Sequence, residues 1–424
     1  MFVLNITIVC DGFRNSSLQL QPWRRVHEMS KRLVSMDVCI TILSDLSQSD
    51  IVEEIIDGII VKRTNNFMLG PLIGKKKFKK AVLENKPDLV IWYGTPLSAL
   101  FLSNFASIGK PIIWDLERNL TGLELFKTIS FQEILNPHHR FLWQDMLTAF
   151  LPRILFKSVA NSTFISKIIV PSASLKAKLT KIGVEKTKIA VIGSTFERET
   201  KDFSLLEEKQ ADLLRAEIGL THSNFVVSYF GSPCTLRGTD TAIIGLKKLL
   251  LKRKKVNLVI FSRRQLISLT SIDENLREEE ESLVRLIKKN GLEEHVKIIS
   301  GMLERSKVQQ YFLASDAIIL PFKMILSEPP LTVLEAMHMK KVVITTNLGS
   351  LSEIVSKNRG ILIEPNNPEQ LANAIQFLID HPEQSAQICR NGQRYTDEFP
   401  TWNDLTTQFM HILTKIHKET RDSF

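Results

Sequence analysis

The chain has 424 residues, of which 44% are hydrophobic, 24% charged and 8% aromatic, and its net charge is +9. A single hydrophobic core stops growing near about 250 to 300 residues, so this length calls for two or three domains and excludes a small stapled module. The composition is also too apolar and too varied for a disordered polymer or a repeat fibre.

The chain opens on a strand-like run over residues 2–10, and its longest apolar runs, such as Leu89 to Tyr93, are far shorter than a membrane span of roughly 20 residues. With no signal-peptide pattern after Met1, the chain reads as cytosolic and unprocessed. Cys10, Cys39, Cys234 and Cys389 are scattered without metal-ligand spacing, which fits reduced thiols. Further short runs rich in Val and Ile predict strands over residues 38–43, 58–63, 88–93, 111–114, 167–170 and 188–192. Helical periods intervene, and Pro22 sits where a first-turn proline starts a helix from Trp23 to Met36. This alternation is the pattern of βα units around a parallel sheet.

Residues 196–210 are polar and lack a strand pattern, so they read as a linker. A second series of predicted strands follows over 225–230, 256–261, 296–299, 317–320, 342–345 and 360–363. Two doubly wound sheets in tandem imply a cleft between them, with ligands bound outside the carboxyl ends of the strands.

The charge is not evenly shared. Residues 1–195 carry 25 Lys and Arg against 16 Asp and Glu, and the remainder carries 30 of each sign. A basic first half, with Lys75, Lys76, Lys77, Lys79 and Lys80 in a dense cluster, favours an anionic surface. Residues 131–157 add a stripe of aromatic and aliphatic side chains at helical spacing, a pattern shared by interfacial membrane helices and by packing between domains. Nucleic acid is the weaker candidate for the partner, because the basic half lacks any recognisable module for it.

Chemistry should lie in the loops after the strands. Gly231-Ser232-Pro233-Cys234-Thr235-Leu236-Arg237-Gly238 follows a strand and opens a helix, so its backbone N–H groups and Arg237 can receive a phosphate. A stronger signal is the run from Ser327 through Glu328, Leu331 and Thr332 to Glu335 and Met337, which follows the predicted strand 317–320 and enters a helix.

That run, together with Gly349-Ser350-Leu351-Ser352-Glu353-Ile354-Val355 and Arg359-Gly360, resembles the carboxy-terminal domain of retaining glycosyltransferases of family GT4. The resemblance covers residues 225–400 well and the first half more loosely. It implies a GT-B fold: two Rossmann-like domains with an interdomain cleft, an acceptor-binding domain over 1–195, and a nucleotide-sugar-binding domain over 196–399. A carboxy-terminal helix within 400–424, led by Phe399-Pro400-Thr401-Trp402, should pack back on the first domain.

The implied activity is transfer of a sugar from a nucleotide-diphosphate sugar to a lipid-linked glycan, glycolipid or surface polysaccharide on the cytosolic face of a membrane, with no obligatory metal. Residue by residue, the resemblance makes Glu335 the acceptor of ribose hydroxyls, a task suited to a carboxylate that takes two donors at once. The family's first glutamate falls on Ser327, so either Glu328 reaches the donor sugar from one residue away or backbone N–H groups around Pro330 to Thr332 replace it. Leu331 and Thr332 fall where main chain cradles the donor. Of two cations in the family's phosphate loop, Ser232 stands at the first and Arg237 at the second, and Arg263 or Arg264 could supply the missing charge. Gly301 and Met302 fall where the nucleotide base rests, and Gly12, in Asp11-Gly12-Phe13, falls at a turn that approaches the donor phosphate. Where the family often carries a histidine, this chain reads Trp114-Asp115, which makes Asp115 a candidate for orienting a hydroxyl and Trp114 one for stacking on a sugar. The departures at Ser232, Ser327 and Trp114 also leave open a non-catalytic, nucleotide-sugar-binding subunit.

Overall fold

The structure, a computed structural model, describes residues 4–18, 20–46, 51–64, 75–116, 128–130, 133–134, 151, 153–198, 207–252, 255–263, 271–301, 303–325 and 327–422. Met302, Arg264 and most of the 131–157 stripe lie outside them, and so do the side chains of Lys75 and Lys77.

Fourteen strands form two sheets among the described residues. The first contains β1 (Leu4–Val9), β2 (Val38–Asp45), β3 (Glu53–Ile56), β4 (Ile59–Thr64), β5 (Leu89–Gly94), β6 (Ile112–Leu116), β7 (Ile165–Val170) and β8 (Ile189–Val191), in the order β3-β4-β2-β1-β5-β6-β7-β8. The second contains β9 (Phe225–Gly231), β10 (Val256–Ser262), β11 (Val296–Ser300), β12 (Ala317–Leu320), β13 (Val342–Thr346) and β14 (Ile361–Ile363), in the order β11-β10-β9-β12-β13-β14. Every pairing is parallel except β3 with β4. The architecture is thus two Rossmann-like sheets, with strand order reversing beside β1 in the first and between β9 and β12 in the second.

The thirteen predicted strands all appear. The sequence reading missed β3, which turns back from β4 through Asp57 and Gly58, both at positive φ (47° and 81°). An Asp-Gly pair between β-branched runs is the ordinary signal for such a hairpin, so this element was available in the sequence. The predicted linker is also shorter than expected, because the helix Glu207–Glu217 begins inside it.

Strand periodicity explains how the first sheet is covered. Side chains at alternate positions face opposite sides, so Leu89, Ile91 and Tyr93 of β5 join one core while Val90 and Trp92 join another. The first of these cores includes Trp402, Leu405, Phe409, Leu413 and Ile416, one apolar stripe of the helix Trp402–Asp422. The last helix of the chain is therefore built into the first sheet's core. The opposite face carries the helices Lys75–Glu84, Ala99–Leu102 and Arg153–Ala160, through Phe78, Val82, Leu102, Phe156 and Val159, with Phe105 of the short turn Ser103–Ile108 beside them. The second sheet has its own continuous core.

Candidate functional site

The carboxyl ends of β9, β10 and β11 meet the start of the helix Leu331–His338 at a cavity of about 400 Å³ that is also lined by the first lobe. Gly231 ends β9 at a φ of 152°, and a Cβ there would stand 3.2 Å from the Tyr229 hydroxyl and 3.8 Å from Arg237 Nη1. Glycine at this point lets main chain, rather than a side chain, face the cavity. Gly301, just past β11, has a φ of 129° and nothing within 4 Å of where a Cβ would be, so it opens the wall beside it. Phe230 and Phe261, stacked with ring centroids 4.4 Å apart, give the cavity an apolar floor next to Leu303 and Val308. Thr332 and Glu335 enter from the first turns of their helix, where N–H groups lacking intrahelical partners favour anionic ligands.

Cations gather behind Gly231. Arg263 lines the cavity, and burial together with the nearby Arg237 guanidinium pulls its pKa down to about 10. It remains charged at neutral pH. Among the described residues, neither Arg237 nor Arg263 has a carboxylate within ion-pair distance; Arg237 lies 5.9 Å from the Phe322 ring centroid instead. Two neighbouring guanidinium groups, with Glu335 acting on Arg263 only from beyond ion-pair distance, are an arrangement that an anion relieves. The Tyr229 hydroxyl, buried between them, donates to the Ser232 carbonyl at 2.7 Å and fixes the loop.

The first lobe supplies Leu18, Arg24, His27 and Glu28, and the segment after β8 supplies Glu197. Arg24, His27 and Glu28 occupy one face of the helix Trp23–Val34 at i, i+3 and i+4. His27 pairs with Asp57 at 3.0 Å and Glu28 with Arg32, whereas Arg24 reaches across to Glu335, Nη1 to Oε1 3.6 Å. The sequence reading missed all five. The shared helical face of Arg24, His27 and Glu28 was legible, but no residue type or motif marked it as a cavity wall.

Of the residues singled out in sequence, the structure brings Gly231, Arg263, Gly301, Thr332 and Glu335 together and puts Arg237 directly behind them. Several others go elsewhere. Asp115 is buried and holds Arg25 at 2.7 Å, while Arg25 also donates to the carbonyls of Ile192 and Gly193. A buried guanidinium needs that carboxylate, and Asp115 is not among the residues that line the cavity. Trp114 is fully buried against Phe156, ring centroids 5.1 Å apart, so it cannot stack on a sugar.

Glu328 is turned away from the cavity and fits against Gly349, accepting a hydrogen bond from Ser172 Oγ at 2.8 Å. Ser172 caps the helix Ala173–Lys181 of the first lobe, so Glu328 ties the two lobes together. Burial raises its pKa against the pull of Ser172. Leu331 packs its side chain into the second core, leaving only its main chain for a ligand. Ser232 and Ser327 stand outside the cavity lining. Gly12 is covered by the Trp23 ring, which a Cβ would approach to 2.9 Å, and its N–H donates to Asp45.

Further contacts cross between the lobes. Lys323, in the loop after β12, is almost fully buried and bridges Asp240 at 2.6 Å and Glu133 of the first lobe at 2.7 Å. Ile129 and Ile134 flank Glu133 and pack on Leu236 and Met324, beside the phosphate-type loop. The Ser174 N–H donates to Glu353 at 2.6 Å. These join the lobes around the cavity on sides other than Arg24.

Known proteins resemble this chain in sequence and in fold. Residues 211–395 match the family model for glycosyl transferases group 1. A stretch of 88 residues is 34% identical to TuaC of Bacillus subtilis (strain 168), a protein assigned to teichuronic acid biosynthesis as a glycosyltransferase; the match spans 20% of this chain and 22% of that one. Among solved structures, HepE of Anabaena in complex with UDP and glucose is 19% identical, with 97% of this chain and 99% of HepE covered at a TM-score of 0.66. Sucrose-phosphate synthase of Thermosynechococcus elongatus is 15% identical, with 98% and 100% covered at a TM-score of 0.71. These likenesses establish the GT-B fold over nearly the whole chain.

Proposed function

Taking residues 211–395 as a glycosyl transferases group 1 domain, we propose that this chain is a GT4-type retaining glycosyltransferase that uses a nucleotide-diphosphate sugar. The observation that carries the reading is the convergence of Gly231, Arg263, Gly301, Thr332 and Glu335 on one interlobe cavity. The UDP held by HepE supports a nucleotide ligand in this fold.

Each wall suits a part of the donor. Glu335 accepts the two ribose hydroxyls, and the apolar floor of Phe261, Leu303 and Val308 takes the base. The main chain at Gly231, the amides at the start of the helix Leu331–His338, and Arg263 with Arg237 behind it receive the diphosphate. In retaining transfer, the bond from the anomeric carbon to the β-phosphate oxygen breaks and the acceptor oxygen bonds to the same face. Charge therefore develops on the departing diphosphate, and preorganised cations there lower the barrier. The diphosphate takes the acceptor proton, so no protein base is required. Asp115 and Glu328 accordingly serve as structural residues in this scheme.

The acceptor enters from the first lobe, and we assign it to a glycan carried by lipid, with the protein peripheral on the cytosolic face of a membrane. Support comes from the layer covering one face of the first sheet, whose helices expose Leu100, Ile154 and Leu155 and also carry the exposed Lys76 and Lys80. No helix among the described residues is long and apolar enough to cross a membrane.

A transfer assay with candidate nucleotide-sugars and lipid-linked acceptors tests the reading, with NMR of the product reporting anomeric configuration. Retention at the transferred carbon is expected, and inversion would refute the mechanism. Donor binding without turnover on any acceptor would favour a non-catalytic binding subunit, for which the engagement of Asp115 and Glu328 away from the cavity is the supporting observation.

A further inference from the structure

The donor reading leaves the cavity wall opposite Glu335, with Arg24, His27 and Glu28, without a task. Arg24 stands on the first lobe, yet its guanidinium approaches Glu335 of the second at 3.6 Å, beyond hydrogen-bond length. Both side chains are mostly sheltered, at 16% and 21% exposure, so their charges are weakly screened. Neither saturates the other. A guanidinium carries five N–H donors and a carboxylate about four acceptor positions, which leaves capacity on each for a shared ligand. His27 and Glu28, the neighbours of Arg24 on the same helical face, are already engaged with Asp57 and Arg32.

We infer that Arg24 is a donor-positioning residue: it lies beside the carboxylate that holds the ribose and gives its remaining N–H donors to the adjoining diphosphate from across the cleft. This rests on the nucleotide-sugar reading and extends it by assigning the first lobe a direct part in donor recognition. The diphosphate is then held between guanidinium groups on opposite walls, Arg24 on one and Arg263 on the other, and a donor can be gripped fully only when both lobes contribute. Arg24 approaches as a planar fork, which suits phosphate oxygens better than a point charge does.

Calorimetric titration of the purified full chain with a nucleoside diphosphate and the matching nucleoside monophosphate, at two salt concentrations, distinguishes this from a purely structural pairing. For Arg24→Gln the account expects diphosphate affinity to fall about tenfold or more, as loss of a charge-assisted hydrogen bond implies. Monophosphate affinity should fall less, the salt dependence of diphosphate binding should weaken, and Arg24→Lys should restore part of the loss. In turnover, the donor KM should rise more than kcat falls.

Equal loss for both nucleotides would mean that Arg24 merely braces Glu335, and unchanged affinity would mean that it does nothing for the donor; either overturns the inference while leaving the donor site intact. If Arg24→Gln fails to fold, the diphosphate-to-monophosphate ratio of Arg24→Lys decides alone, and a ratio equal to wild type overturns the inference. If the wild type binds no nucleotide, the nucleotide-sugar reading falls and the inference falls with it.

Discussion

The two walls of the cleft come from the same kind of sheet but present ligands differently. On the second lobe, Gly231, Gly301, Thr332 and Glu335 bring backbone, helix amides and one carboxylate to the cavity from consecutive strand ends and the helix after β12. On the first lobe, the corresponding strand-end residues are absorbed by the scaffold: Gly12 lies under Trp23, and Asp115 holds Arg25. The wall there is one face of a helix instead. A nucleoside diphosphate makes the same demands wherever it binds, so its site takes recurring local sequence. The opposite wall is built from the side chains that the adjoining helix offers.

The sharpest break between the walls should appear in stability. Asp115→Ala leaves Arg25 charged and buried without a partner, and should destabilise the protein by about 3–5 kcal/mol in denaturant unfolding. Glu335→Ala, at a partly exposed cavity position, should stay within about 0.5 kcal/mol of wild type in the same experiment. Comparable losses in both variants would erase the distinction drawn here.

In catalysis the order should reverse. Arg263→Ala should lower kcat by about 10²- to 10³-fold, the range found when a preorganised donor to a developing oxyanion is removed. Glu335→Ala should reduce kcat/KM by roughly tenfold or more, from the loss of charge-assisted bonds to the ribose. Glu328→Gln keeps an acceptor for Ser172 and should retain most activity, which a direct sugar contact through its charge would not allow.

A smaller effect concerns pH. Burial, a hydrogen bond to Asp45 and the charge of Asp45 raise the Asp11 carboxyl to about 7. A carboxyl that binds its proton more tightly when folded adds stability that is complete below its unfolded pKa and fades as pH rises through about 7. Melting temperature should therefore decline between pH 5 and 8, and Asp11→Asn should flatten that decline. An unchanged slope in the variant would place the titration elsewhere.

Much of this molecule was legible in its sequence because strands buried on both faces write near-continuous apolar runs. The runs at β5, β10 and β12 fixed the alternation and, through it, where the loops had to be. Glu335, Thr332 and Gly231 were legible because their positions are set by local chain geometry at a strand end or helix start. The edge strand β3 was missed although Asp57-Gly58 announced its turn; only Ile56 of that strand is buried, and Ile55 is exposed, so its hydrophobic pattern is weak. The contact of Asp115 with Arg25 was not legible, because Arg25 lies 90 residues away, on a helix whose placement requires the folded sheet. Arg24 escaped for the same reason: only the approach of the two lobes sets it beside Glu335.

The central claim is that the cavity between the lobes binds a nucleotide-sugar through Glu335 and Arg263. Thermal denaturation of the wild-type protein with UDP-, GDP-, ADP- and dTDP-sugars, alongside Glu335→Ala and Arg263→Ala, tests it most directly. One donor at about 100 times its Kd should stabilise the wild type by roughly 2.7 kcal/mol, and that stabilisation should vanish in both variants. A donor that stabilises both variants as fully as the wild type, or a panel in which none stabilises the wild type, would contradict it.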